Sequence, residues 1–292
     1  MPGLEPIDLH HNGAARTVAS YVVETDDGPA LFDCGPSVTI EALKAGLAAH
    51  GLKLAEIRHL LLSHIHFDHA GAAGVLVREQ PALQVHVSEI GAPHLVDPSR
   101  LEASARRLFG DAFDTLWGEL APVPAENVRV VGERVLGLYC FPTPGHASHH
   151  VSYLAGDGTL YAGDAAGVRI LPGRTVLPPT PPPEVDVELW LASLDKLAEH
   201  DPVPSTLGLT HFGRVPDVLD SIEAAKNELR RLADLARNGD QEEFMTDFER
   251  QLENVPPDIA ESLVNALPIE FNYAGLERYW SKKAAAAADE SV

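Results

Sequence analysis

The chain has 292 residues, of which 45% are hydrophobic and 22% charged, and carries a formal charge of -21. That length buries a substantial core in one large domain or two smaller ones. The charge disfavours nucleic acid and anionic membrane surfaces as partners, because both are held by clustered Lys and Arg. No apolar stretch approaches the length of a bilayer span, and Met1-Pro2-Gly3-Leu4-Glu5-Pro6 has neither the basic start nor the apolar run of a secretory signal. The expected location is therefore the cytoplasm. Cys34 and Cys140 are too few for a disulfide framework and read as small apolar residues.

Residues 17–25 (TVASYVVET) and 29–34 (PALFDC), joined by Asp26-Asp27-Gly28, predict a β-hairpin. A helix follows over 37–50, closed by Gly51. Residues 57–63 form a short apolar strand, 72–80 a helix, 83–88 a strand, and 99–120 a mixed helical stretch. From 128 to 164 the pattern is strand after strand: 128–131, 137–141, 150–155 and 159–162, the last two joined by Gly156-Asp157-Gly158. The proline-rich segment 171–183 is neither helix nor central strand and reads as a stiff loop placed to wall a pocket. A helix over 186–200 and a strand over 206–210 complete this part, and beyond 215 only helices are expected, over 216–237, 241–252, 256–266 and 269–280. Their apolar positions, among them Leu229, Leu232, Phe244, Phe248, Leu263 and Trp280, recur at helical spacing. Such a stripe packs on the rest of the chain, roofs a site, or pairs two copies as a homodimer. The alanine-rich end, 284–292, reads as a frayed tail.

Between the strand at 57–63 and the helix at 72–80 stands Ser63-His64-Ile65-His66-Phe67-Asp68-His69-Ala70-Gly71, with three imidazoles and a carboxylate in six consecutive positions. A packed core does not tolerate that density without something to bind it. Imidazole nitrogens and carboxylate oxygens are ligands for zinc and other first-row metals, and two adjacent ions need about seven protein ligands. Three more are therefore expected downstream. His146 in Thr-Pro-Gly-His, Asp164 after Ala162-Gly163, and His211 after Leu209-Thr210 are the candidates, each following a predicted strand.

In order, this set resembles the metallo-β-lactamase superfamily: H-x-H-x-D-H, a late His, an Asp and a last His, over about residues 17–213. The resemblance implies an α+β four-layer αββα sandwich over 1–213, to which the helices of 214–283 are an extension. It implies that His64, His66 and His146 hold one ion and that Asp68, His69 and His211 hold a second, with Asp164 bridging. Two divalent ions follow, zinc first, with iron or manganese as alternatives. Asp33 matches the superfamily's aspartate near the end of an early strand and is assigned an orienting role by hydrogen bonding, of mild effect; satisfying a turn is the other reading. One of His149 and His150 faces the site, or both are packed. His10 and His11 are similarly open, while Tyr153, Tyr161, Trp190 and Phe212 read as core aromatics.

The chemistry so implied is dinuclear metal-dependent hydrolysis of a small ester, thioester or lactone by hydroxide generated at the metals, with Asp68 as the catalytic carboxylate. The Thr-Pro-Gly-His turn and the run through Gly71 are similar to those of hydroxyacylglutathione hydrolases and acyl-homoserine lactonases. Gly-x-Ser-x-Gly, the phosphate loop and the dinucleotide fingerprint are absent. Two other classes compete: an iron oxidoreductase resembling persulfide dioxygenases, with one iron on two His and one Asp, and a non-catalytic ligand binder that keeps the scaffold.

Overall fold

The computed structural model describes residues 4–289. Its strands are β1 (Ile7–Asp8), β2 (Ala19–Thr25), β3 (Gly28–Phe32), β4 (His59–Leu61), β5 (Gln84–Val87), β6 (Val128–Val130), β7 (Arg134–Val135), β8 (Leu138–Pro142), β9 (Val151–Leu154), β10 (Thr159–Tyr161), β11 (Thr206–Leu209) and β12 (Gly213–Val215). They make two six-stranded sheets, β1 to β6 in sequence order and β12-β11-β10-β9-β8-β7. Strands β3, β4, β5 and β6 run parallel. In the second sheet β8 and β10 are each antiparallel to β9, and β10 is parallel to β11. Strands β8, β10 and β11 therefore point one way, and their carboxyl ends lie along one edge.

Alternation in the strands explains the sandwich. One face carries Ala19, Tyr21, Val23, Ala30, Phe32 and Leu61 against Leu138, Cys140, Val151, Tyr153 and Tyr161, forming the inner core. The tyrosines are fully buried and find partners at the strand ends that matter: Tyr21 Oη donates to the Leu209 carbonyl at 2.7 Å and Tyr153 Oη to that of Leu62 at 2.9 Å. Each bond thus steadies a strand just before a metal-ligand candidate.

On the outer face of the first sheet lie α1 (Ile40–Ala49), α2 (Phe67–Ala70), α3 (Ala73–Glu79) and α4 (Ala92–Val96), which bury Leu43, Leu47, Leu76 and Leu95 against Leu31, Leu60 and Val85. The mixed stretch is two helices, α5 (Ser99–Phe109) and α6 (Phe113–Leu116), broken at Gly110. On the second sheet, α7 (Val187–Ala198) places Trp190, Leu194 and Leu197 on Leu160, Leu207 and Leu209. The four-layer αββα sandwich is thus present. The helices α8 (Val218–Asn238), α9 (Gln241–Leu252), α10 (Pro257–Ala266) and α11 (Ile269–Asp289) bury Leu229, Leu232, Phe244, Phe248 and Leu263 in the same apolar cluster as α7. Their stripe is covered by the chain itself.

Several boundaries differ from the sequence reading. The first helix opens as a 3-10 turn and becomes α-helical only at Ile40. Strands β1, β7 and β12, two or three residues long, are too short to show alternation. The expected frayed tail is corrected over 284–289: α11 continues to Asp289, because consecutive alanines carry the highest helix propensity. Residues 290–292 lie outside the described part. Among the described residues, no helix is long and apolar enough to cross a membrane.

The first sheet also holds a buried polar pair. His59 on β4 donates Nε2–H to Asp27 Oδ2 at 2.8 Å, so its Nδ1 is left to accept from His86 Nε2 on β5 at 3.0 Å. Burial first, then His59 and Arg129, push His86 down to about 4. The unfolded chain takes up that proton near the ordinary value of 6.5, so between these pH values it binds more protons than the folded chain, and stability falls as pH falls. The loss reaches at most about 3 kcal/mol. In His86→Gln, which keeps a donor toward His59 and cannot titrate, urea denaturation midpoints are expected to fall less between pH 7 and pH 4 than in the natural chain. Parallel profiles for the two proteins would remove His86 from the acid response.

Candidate metal centre

The seven candidates arrive at the common edge from separate strands. The loop after β4 carries His64 and His66, the short helix α2 that follows it carries Asp68 and His69, and the loops after β8, β10 and β11 carry His146, Asp164 and His211. They form two groups: His64, His66, His146 and Asp164, and Asp68, His69 and His211, with the ligand atoms of each group within 4.8 Å of one another. In the first, His66 Nδ1 lies 2.9 Å from both His64 Nε2 and His146 Nε2, which are themselves 3.2 Å apart. In the second, His211 Nε2 lies 3.3 Å from Asp68 Oδ2.

Asp164 stands between the groups. Its Oδ2 faces His146 Nε2 at 3.2 Å and His64 Nε2 at 4.0 Å, while Oδ1 faces His69 Nε2 at 3.3 Å and His211 Nε2 at 3.6 Å. Glycine at 163 is a requirement here: φ is +51°, and a Cβ would stand 2.6 Å from that of Ser63 and 2.7 Å from His150 Nε2.

The backs of the rings decide which nitrogen faces inward. His146 Nδ1 donates to the Pro179 carbonyl at 2.7 Å, His211 Nδ1 to that of Thr17 at 2.5 Å, and His69 Nδ1 to Asp33 Oδ2 at 2.7 Å. These acceptors accept only, so each Nδ1 carries a proton and each Nε2 is the nitrogen turned inward. Ser63 Oγ donates to Asp33 Oδ2 at 2.9 Å and so accepts from His64 Nδ1, also at 2.9 Å.

Asp33 is fully buried. Besides His69 and Ser63 Oγ, it accepts Ser63 N–H on Oδ1 at 2.8 Å and Thr210 Oγ–H on Oδ2 at 2.7 Å. One carboxylate thereby joins the ends of β3, β4 and β11, a larger role than satisfying a turn. His150 lies beneath the centre, with Nε2 accepting Asp164 N–H at 3.1 Å and Nδ1 on Thr143 Oγ1 at 2.8 Å. His149 is buried and stacks on His64 with ring centres 5.9 Å apart. His11 is buried against Trp117 and bonds the Leu116 carbonyl at 2.8 Å, while His10 is exposed. Tyr153, Tyr161 and Trp190 are core as expected, whereas Phe212 is only partly buried.

Burial first, and then the neighbouring rings, push His64 and His66 well below the ordinary imidazole value. Burial opposes charge at His69 and His211 too, yet Asp164 and Asp68 hold both above it. At Asp68 and Asp164 burial opposes ionisation and the facing histidines outweigh it. The buried His69 Nε2 and Asp164 Oδ1 have no hydrogen-bond partner. Imidazole nitrogens turned inward, two carboxylates and orphaned buried atoms aimed at the same space suit a divalent ion, which would take the place of the inner protons on His69 and His211. The nitrogen spacing agrees, since tetrahedral zinc–nitrogen bonds of 2.0–2.1 Å imply separations of about 3.3 Å.

The profile of the metallo-β-lactamase superfamily matches residues 13–203. The chain belongs to that superfamily. Its sequence is 29% identical over 203 residues to a metallo-β-lactamase fold-containing protein of Sulfurisphaera tokodaii, covering 64% of this chain and 74% of that one. The crystal structure of that protein superposes with a TM-score of 0.64 over 89% of this chain and 93% of that chain. A protein solved in a di-iron-bound form gives a TM-score of 0.53 at 27% identity, over 70% of this chain and 92% of that one. A type A flavoprotein of Rhodobacter capsulatus is 28% identical over 178 residues, 59% of this chain and 37% of the flavoprotein.

The sequence reading singles out Asp33 and His150 and misses the rest of what holds the ligands in place. Ser63, Thr210 and Thr143 are ordinary residue types that gain their roles from tertiary position. The carbonyls of Thr17 and Pro179 carry no side-chain signal at all.

Proposed function

We propose that this superfamily member is a dinuclear metal-dependent hydrolase cleaving a small ester, thioester or lactone. The observation that carries this reading is Asp164, whose two oxygens each face a different histidine set. Two divalent ions there, zinc in the first instance, would polarise a carbonyl and bring the pKa of a water down from 15.7 to about 7. Asp68 is more open than Asp164, with side-chain exposures of 24% and 5%. Held ionised by His69 and His211, Asp68 Oδ2 is suited to orient a water and carry a proton to the leaving group. His64, His66, His146, His69 and His211 present nitrogens, and Ser63, the Pro179 carbonyl, Asp33 and the Thr17 carbonyl keep the far-side protons of His64, His146, His69 and His211 in turn.

A second reading, iron-based redox chemistry, is supported by the likeness to the di-iron-bound structure and by the nitrogen and oxygen donor set, which suits iron as well as zinc. Metal analysis joined to a screen of esters, thioesters, lactones and phosphodiesters separates them. The expected result is two ions per chain and hydrolysis of one carbonyl class, lost on chelation and restored by zinc. Asp68→Asn is expected to keep both ions and lower turnover by about 10²–10⁴-fold. Iron as the only activating metal with no hydrolysis would favour the second reading, and full turnover by a metal-free chain would end both.

A further inference from the structure

We propose that Asn272, in the first turn of α11, is a positioning residue for the metal-ligand candidate His146. The inference rests on the dinuclear reading and concerns how a C-terminal helix takes part in the centre. His146 reaches inward through Nε2 because its Nδ1–H is taken by the Pro179 carbonyl at 2.7 Å. That carbonyl sits in Pro178-Pro179-Thr180-Pro181-Pro182-Pro183, where five of six residues lack an N–H. Thr180 supplies the only backbone donor in the run. A strand or helix cannot hold such a segment, so a side chain must.

Asn272 does so from both sides. Its Oδ1 accepts Thr180 N–H at 2.9 Å, its Nδ2 donates to the Pro178 carbonyl at 3.4 Å, and its own carbonyl accepts Thr180 Oγ1–H at 3.0 Å. Asn272 is 1% exposed and Thr180 fully buried, so these bonds are made without competing water. One turn on, Gly275 lets α11 touch the same loop: a Cβ there would stand 1.8 Å from the Thr180 carbonyl oxygen. At the far end of the loop, Lys282 Nζ bonds the Pro183 carbonyl at 2.9 Å. The helix thus grips the residues before and after Pro179 and fixes where its carbonyl points. Trp190, with its ring centre 5.5 Å from that of His146, limits the ring's position and leaves its tautomer to Pro179.

The test uses Asn272→Leu, which keeps the branched shape and removes both side-chain hydrogen-bonding atoms, Oδ1 and Nδ2, and Gly275→Ala, which displaces the same loop from a different residue. Asn265→Ala is the control, because that amide bonds only the Glu261 carbonyl of its own helix. Two readouts are taken in the full chain: zinc affinities by chelator competition, and the His146 tautomer in metal-free protein by ¹⁵N shifts of labelled histidine. In the natural chain His146 is expected to hold its proton on Nδ1. In folded Asn272→Leu the tautomers mix and affinity for one ion of the two falls by about 10–100-fold, as for a group that orients a ligand, while Asn265→Ala stays as the natural chain. A folded Asn272→Leu with the natural tautomer and both affinities unchanged overturns the assignment. If that variant does not fold, Gly275→Ala decides on the same readouts. A natural chain that binds no zinc would refute the dinuclear reading, and the tautomer comparison would still judge the positioning.

Discussion

Asp164→Ala is expected to leave at most one bound ion and to lower turnover by about 10³-fold or more. The expectation follows from the division of its carboxylate, with Oδ2 at 3.2 Å from His146 Nε2 and Oδ1 at 3.3 Å from His69 Nε2. No other candidate faces both sets. Asp68 serves only the second, through Oδ2 at 3.3 Å from His211 Nε2. Without Asp164, five imidazoles and one carboxylate remain for two dications. Those dications then repel each other with less intervening negative charge, in a site where that charge is 5% exposed and poorly screened. Losing one ion removes either the polarised carbonyl or the activated water, each worth several kcal/mol in the transition state. Asp164→Asn is the sharper companion, since its amide keeps one acceptor oxygen and turns an NH₂ toward the other histidine set. One ion is expected to remain there. Metal content, chelator competition and turnover on the same preparations check this, and two ions at natural affinity in Asp164→Ala would refute the bridging role.

The legible part of this centre is the part whose chemistry is local. His64, His66, Asp68 and His69 lie within six consecutive residues, so their density is visible in the sequence. His146, Asp164 and His211 were found because each follows a strand whose alternation is readable, and because Gly145 and Gly163 mark the turn before two of them. The sheet order, by contrast, depends on β1 and β7, two residues each and too short to carry a pattern. The C-terminal helices were visible by their apolar spacing, but what they cover was not. Nothing in residues 269–280 says that Asn272 meets Thr180 across 92 positions. The hydrogen bonds that set the tautomers of His146 and His211 end on main-chain carbonyls, which every residue possesses, so no reading of side chains could single them out.

Asp33→Ala is expected to cost stability as well as metal, about 3–5 kcal/mol by comparison with other broken buried charge networks, and so more than an orienting residue at a turn would imply. The carboxylate is fully buried and accepts from Ser63 N–H, Ser63 Oγ–H, Thr210 Oγ–H and His69 Nδ1–H. Alanine leaves all four donors in a dry cavity, where each unpaired group costs about 1–3 kcal/mol before the surroundings relax. It also frees the junction of β3, β4 and β11, from which His64, His69 and His211 depart. Asp33 has φ at +49°, a left-handed turn that aspartate tolerates better than most residues, so the backbone itself favours an Asp or Asn here. Asp33→Asn therefore separates the two costs. Its carbonyl oxygen can keep Ser63 N–H, but its NH₂ then meets donors at His69, Ser63 and Thr210. The least costly answer for His69 is to move its proton to Nε2 and accept on Nδ1, which places an N–H where a metal ligand is needed. The asparagine variant should thus melt closer to the natural chain than the alanine variant does, yet lose the ion on the Asp68, His69 and His211 side to a comparable degree. Thermal melts of metal-free protein, read beside zinc titrations, measure the two costs independently. An asparagine variant that binds both ions normally would show that the charge of Asp33, and with it the tautomer of His69, is not what prepares that side of the centre.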